Sequence, residues 1–229
     1  MRSFQALVCG LALAVGAGAA QAAIIDFTAA TWRDTLADDT ASSKTRTFGD
    51  LDVTIRAWDG GDEANLTFTR FDGASTAPCG SLLACSADGA GIGDDQVTFG
   101  VGNKEDVERL EVIFSRALDI TNFHFLDLHP AGYRSNTQVE KAQWQINGQV
   151  GGDTFDGYHV SGYAVTDELG YFGVPKVEFY ADTARTPSSR NTDFALAGIE
   201  YLASAVSVPE PATLGLLGLG LLGLRRKLK

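Results

Sequence analysis

Arg109-Leu110-Glu111-Val112-Ile113-Phe114 decides the fold, because Leu110, Val112 and Phe114 fall on one face of an extended chain. Successive side chains leave a pleated backbone on opposite sides, so apolar residues at period two mark a strand with one buried face. The same period runs through Leu51-Asp52-Val53-Thr54-Ile55-Arg56-Ala57 and Leu66-Thr67-Phe68-Thr69-Arg70-Phe71. Ile120 to Leu128, Val139 to Ile146, Tyr158 to Val165, Lys176 to Tyr180 and Asp193 to Leu202 extend the set. Turns separate the runs at Asp59-Gly60-Gly61-Asp62, Asp72-Gly73, Asn147-Gly148 and Gly151-Gly152-Asp153. Thr28 to Asp38 is the one stretch read as a short helix, and a marginal one. About nine strands with turns every ten or so residues predict an all-β fold, an antiparallel β-sandwich of jelly-roll or Greek-key type.

Both ends of the chain depart from this pattern. Arg2 precedes an apolar stretch from Phe4 to Ala20 that closes on Ala20-Gln21-Ala22. Small residues at the third and first positions before a cut suit signal peptidase, so residues 1–22 read as a signal peptide cleaved before Ala23. Cys9 follows Leu7 and Val8 inside that segment and is read as an ordinary residue of it. At the other end, residues 208–229 read VPEPATLGLLGLGLLGLRRKLK. Pro209 and Pro211 disfavour helix just ahead of the apolar run Ala212 to Leu224. Those 13 residues as a helix span roughly 20 Å, short of a hydrocarbon core of about 30 Å. The run is therefore read as a transmembrane segment suited to transient anchoring, with Arg225, Arg226, Lys227 and Lys229 on the cytoplasmic side.

Val208-Pro209-Glu210-Pro211, the Gly/Leu-rich run and Arg225-Arg226 together resemble the tail of the PEP-CTERM exported proteins. The resemblance implies an exosortase that recognises this tail and removes it near the Pro-Glu-Pro element. It also implies a Gram-negative bacterium that makes exopolysaccharide, with the product passing the inner membrane to the cell surface, biofilm or matrix. Gly91-Ile92-Gly93, Glu108 to Ser115 and Asp193 to Ile199 are loosely similar to the β-sandwich domains such proteins carry. The tail covers about a tenth of the chain and says nothing of what the rest does.

The expected exported body is therefore residues 23–207, enough for one domain with a sizeable core. Of the 18 Lys and Arg, Arg2 and the four terminal bases lie outside it, and of the 29 Asp and Glu only Glu210 does. What remains is 13 bases against 28 acids, a net charge of −15. Such a surface repels polyanions, which excludes nucleic acid and acidic membranes as expected partners. Neutral polysaccharide and divalent cations stay compatible with it.

Candidate chemistry is sparse. Cys79 and Cys85 flank a short loop, and export to an oxidising compartment favours a local disulfide there over a metal site, since no His lies nearby in sequence. Asp88, Asp94 and Asp95 on a Gly-rich stretch are the first choices for a weak Ca²⁺ site, with plain solvated turns as the alternative reading. His124, His129 and His159 do not form a helical metal pair. No G-x-S-x-G or phosphate-loop motif is present, and with so many acids a carboxylate pair is uninformative, so the chain is read as a non-enzyme without a cofactor. Trp58, Tyr133 and Trp144 are the aromatic residues offered for stacking on sugars, against the alternative that they pack in the core or at its rim. The resulting expectation is an exported, exosortase-processed surface or exopolysaccharide-matrix protein with a structural or adhesive role. A carbohydrate-binding module is the second reading and a secreted hydrolase the third.

Overall fold

Thirteen strands and one turn of 3-10 helix, Ala30–Trp32, make up the regular structure of a computed structural model that describes residues 21–33, 41–69, 79–93, 96–98, 107–132, 139–147, 154–181 and 193–203. In chain order they are β1 (Gln21–Asp26), β2 (Ser43–Phe48), β3 (Leu51–Asp59), β4 (Asp62–Glu63), β5 (Leu66–Thr67), β6 (Gly91–Ile92) and β7 (Val97–Thr98). The remainder are β8 (Glu108–Leu126), β9 (Lys141–Ile146), β10 (Thr154–Asp156), β11 (Ala164–Val165), β12 (Tyr171–Ala181) and β13 (Asp193–Ala203). Apart from Gln21 at the start of β1, they belong to one compact unit, Ala22–Ala203. β5 and β6 form a small pair of their own, and the other strands form a single 11-stranded sheet.

β8 is the axis of that sheet. Its first half lies between β3 and β12, with Val112 opposite both Ile55 and Val177. Its second half lies against β13 on one side, Phe123 opposite Ile199, and against β11 on the other, His124 opposite Val165. Between the halves the register with β12 jumps from Ile113↔Lys176 to Leu118↔Val174. On the β12 side the interval from Phe114 to Ala117 therefore faces only Pro175, a residue with no N–H to give a ladder. The break bends the sheet, which curls over its own apolar face. The all-β, antiparallel sandwich expected from the alternation is present, built by one curled sheet.

Several expected elements change shape. Arg109–Phe114 and Ile120–Leu128 are read in sequence as two strands, but the first and all of the second up to Leu126 are parts of the one strand β8. The exposed Ser115 and Ala117 interrupt the apolar period without ending the pairing. The short helix expected from Thr28 onward is reduced, within the described residues, to the single turn Ala30–Trp32. Tyr158–Val165 contributes only β11, because Gly162 N–H turns back on the His159 carbonyl (3.0 Å) and adopts φ +75°. β2 has no apolar alternation at all: its inward residue is Lys44, whose Nζ donates to the Trp32 carbonyl (3.0 Å) and lies 5.2 Å from the Phe68 ring centre.

Two aromatic groups fill the interior. Trp32 stacks on Phe68 (5.6 Å) and touches Phe27 (5.0 Å). Phe123 meets Phe179 edge-on at 4.9 Å and Trp144 at 5.1 Å, while Phe125 meets Phe194 at 5.3 Å. All of these but Phe68 and Trp144 are fully buried, and those two nearly so.

Candidate functional site

Strand alternation puts Val53, Ile55 and Ala57 of β3, Leu110 and Val112 of β8, Val177 and Phe179 of β12, and Ala142 and Trp144 of β9 in the core. Their neighbours must then share the opposite face. The register aligns them in rows across the strands. One row runs Glu63, Trp58, Arg109, Tyr180, Gln143, Thr154, from β4 to β10. The next runs Ser43, Arg56, Glu111, Glu178, Gln145, from β2 to β9.

Charges on this face are matched. Lys176 Nζ donates to Glu111 Oε1 (2.9 Å) and Glu178 Oε1 (2.7 Å), Arg109 Nη1 lies 3.4 Å from Glu178 Oε2, and Arg56 Nη1 lies 3.8 Å from Glu111 Oε2. Gln145 Nε2 also donates to Glu178. Burial on its own pushes the Glu178 carboxyl up, but the hydrogen bonds from Lys176 and Gln145 and the charges of Lys176 and Arg109 outweigh it and hold the group below its usual range. The hydrogen bond to Glu178 in turn holds the Lys176 amine above its ordinary value. The Arg109 guanidinium sits 5.3 Å from the centre of the Trp58 ring. In the same row, Trp58 Nε1 and Gln143 Oε1 find no hydrogen-bond partner among the described residues.

A depressed carboxylate stabilises the fold above its unfolded value, and that stabilisation is lost as pH falls through the folded value. Glu178 must therefore cost the protein stability in acid, from about pH 4.5 downward. Glu178→Gln is expected to lower stability at neutral pH by about 1.5–3 kcal/mol, the worth of hydrogen bonds to a charged group. It should also flatten the acid loss, and urea midpoints measured from pH 7 to pH 3 check both.

A second polar cluster lies where β1, β8 and β13 meet the segment from Cys79 to Ala87. Asp26 accepts from the Thr28 N–H and hydroxyl (2.8 and 2.6 Å) and from the Ala84 N–H (2.8 Å), and Thr28 Oγ1 accepts from the Cys85 N–H (2.9 Å). These bonds clamp the loop onto β1. Gly80, at φ +85°, leaves no room for a side chain, since a Cβ would meet the Tyr163 hydroxyl at 2.4 Å. That hydroxyl lies 2.8 Å from His124 Nδ1, and His124 Nε2 lies 2.6 Å from Glu200 Oε1. A neutral ring satisfies both partners, accepting from Tyr163 and donating to Glu200. Burial keeps the His124 ring below its ordinary value against the upward pull of the hydrogen bond and charge of Glu200.

Comparison with known families finds the PEP-CTERM protein-sorting motif at residues 207–227. The chain is a PEP-CTERM sorting-domain protein. No curated protein matches it. The motif marks a PEP-CTERM protein for export, for passage through the membrane and for processing by an exosortase. Its match begins one residue before Val208, where the tail was expected to start.

Val208, Pro209, Glu210, Pro211, Arg225 and Arg226 of the PEP-CTERM tail lie outside the described residues, as do the apolar run, Ala20, Asp94, Asp95 and Tyr133. Ala22 and Ala23 are the second and third residues of β1, so a cut between them falls inside the strand and leaves Ala23 to Asp26 of it on the product. Cys79 and Cys85 come together with Cα atoms 6.0 Å apart, within the span of a disulfide. Asp88 is buried and receives the Thr69 hydroxyl at Oδ2 (3.2 Å), which makes it part of the interior and no solvated turn.

The three aromatic candidates separate. Trp58 stands on the polar sheet face, half-buried. Trp144 does not: at 2 % exposed it packs between Phe123 and Phe125 and donates from Nε1 to the Tyr171 hydroxyl (3.2 Å), so it offers no ring to a sugar. Sequence reasoning passed over Tyr180, Arg109, Gln143, Gln145 and Glu178. Once Trp144 is taken as inward, Lys141-Ala142-Gln143-Trp144-Gln145-Ile146 turns both glutamines outward, and Val177 and Phe179 do the same for Lys176, Glu178 and Tyr180.

Proposed function

We propose that this PEP-CTERM protein serves as a structural or adhesive component of the surface or exopolysaccharide matrix of a Gram-negative cell. The sorting motif at 207–227 is the single observation that supports this reading. An exosortase-targeted body needs no turnover to serve there. Its −15 charge keeps it soluble and monodisperse among polymers, and a Cys79–Cys85 disulfide closes the clamped loop once the chain leaves the cytosol. The body acts without catalysis and without a cofactor in this account. Cell fractionation with intact-mass analysis tests it. The expected product is found outside the cell, begins at Ala23 and lacks Arg225 and Arg226. Recovery of the full-length chain from the soluble interior overturns the reading.

Carbohydrate binding is the second reading, and the rows through Trp58 and Glu178 are the observation that favours it.

A further inference from the structure

We infer that the polar sheet face carrying Trp58, Arg109, Tyr180 and Gln143 binds a segment of neutral polysaccharide; the inference rests on the second reading above and gives that reading its ligand class and its site. Three features of the face point to this ligand. The first is extent: the row from Trp58 to Gln143 crosses four adjacent strands, and at about 4.8 Å per strand it runs roughly 14 Å, long enough for an oligosaccharide laid across the sheet.

Charge is the second. The two rows with Lys176 hold three bases, Arg56, Arg109 and Lys176, and three acids, Glu63, Glu111 and Glu178. Lys176, Arg56 and Arg109 are engaged with Glu111 and Glu178, and Glu63 accepts from the Ser42 hydroxyl (2.8 Å). On a body of −15 this is a patch of no net charge, matched to a ligand that carries none. Paired charges and planar amides offer both donors and acceptors, as a run of sugar hydroxyls requires.

Third, the face combines flat rings with side-chain amides. Trp58 and Tyr180 flank Arg109 in one row, and stacking on aromatic rings with nearby polar groups is how apolar sugar faces are held. Gln143 and Gln145 place side-chain amides, each with a donor and an acceptor, in the same two rows.

Native electrophoresis of the full-length chain in mild detergent, through gels with and without hydroxyethyl cellulose, galactomannan or alginate, tests the inference. Retardation by at least one of the two neutral polymers is expected. Trp58→Ala should abolish it, and Gln143→Ala, which leaves the core untouched, should weaken it roughly tenfold. Phe172→Ser, at an exposed position away from these rows, should change nothing. Melting curves for each variant separate lost binding from lost folding, and Gln143→Ala carries the test if Trp58→Ala does not fold. No retardation by either neutral polymer, retardation by alginate alone, or neutral-polymer binding unchanged in both variants overturns the proposal. Because the assay uses unexported protein, its failure leaves a matrix location standing, and a failed fractionation leaves this binding result standing.

Discussion

Replacing Pro209, Glu210 and Pro211 together by alanine is expected to abolish tail removal, leaving the protein in the membrane fraction at full tail length. The three residues lie at the start of the matched sorting motif, immediately ahead of the apolar run. Alanine removes the one acid of the element, and it replaces two residues that disfavour helix by one that favours it. A protease that acts on extended backbone then loses both its recognition element and its substrate conformation. Intact-mass measurement of membrane and extracellular fractions reads the outcome directly. Tail-free variant protein outside the cell in wild-type amount contradicts the role given to the motif. The triple variant should leave the fold unaffected, since the compact unit ends at Ala203.

The largest effect on the body itself is expected from Phe123→Ala. Phe123 is fully buried and is the ring on which Phe179, Trp144 and Phe125 converge, at 4.9, 5.1 and 6.5 Å. Truncation removes the transfer free energy of the ring and leaves a cavity that three rigid aromatic neighbours close poorly, at a cost of about 3–5 kcal/mol. Against a total stability of about 5–15 kcal/mol this is severe. At roughly 2–4 °C per kcal/mol for a domain of this size, the melting temperature should fall by about 10 °C. Calorimetry or circular dichroism checks it. A loss of less than about 1 kcal/mol would show that the cluster is not the packed centre it is described to be.

Where the chain was legible, the reason was a clean apolar period. Val53, Ile55 and Ala57, then Leu110, Val112 and Phe114, alternate without interruption, and both runs are strands. The two runs that join in β8 were not legible as one, because Ser115, Arg116 and Ala117 carry no period and only the register shows that pairing with β12 resumes at Leu118 beyond the break at Pro175. β2 escaped for a different reason: Ser43-Lys44-Thr45-Arg46-Thr47-Phe48 buries a lysine, and no alternation rule anticipates an amine placed against an aromatic ring and a carbonyl. In the candidate site, Trp58 was legible as a strand-end aromatic beside a turn. Tyr180 and the glutamines were not, since their importance comes from rows that cross strands far apart in sequence. Trp144 shows the opposite error. Ranking residues by type favoured it, whereas the alternation around it already pointed inward.

The pairing of β1 with β13 has a consequence for the order of events during secretion. β1 is the first strand of the body and β13 the last, and Phe27 N–H reaches the Ala197 carbonyl at 2.9 Å. The leading segment, though bonded to the Cys79–Ala87 loop, therefore has no strand partner in the sheet, among the described residues, until the trailing one has crossed. Assembly of that seam waits for translocation to finish, so the body cannot lock into its final shape while part of it is still on the cytoplasmic side.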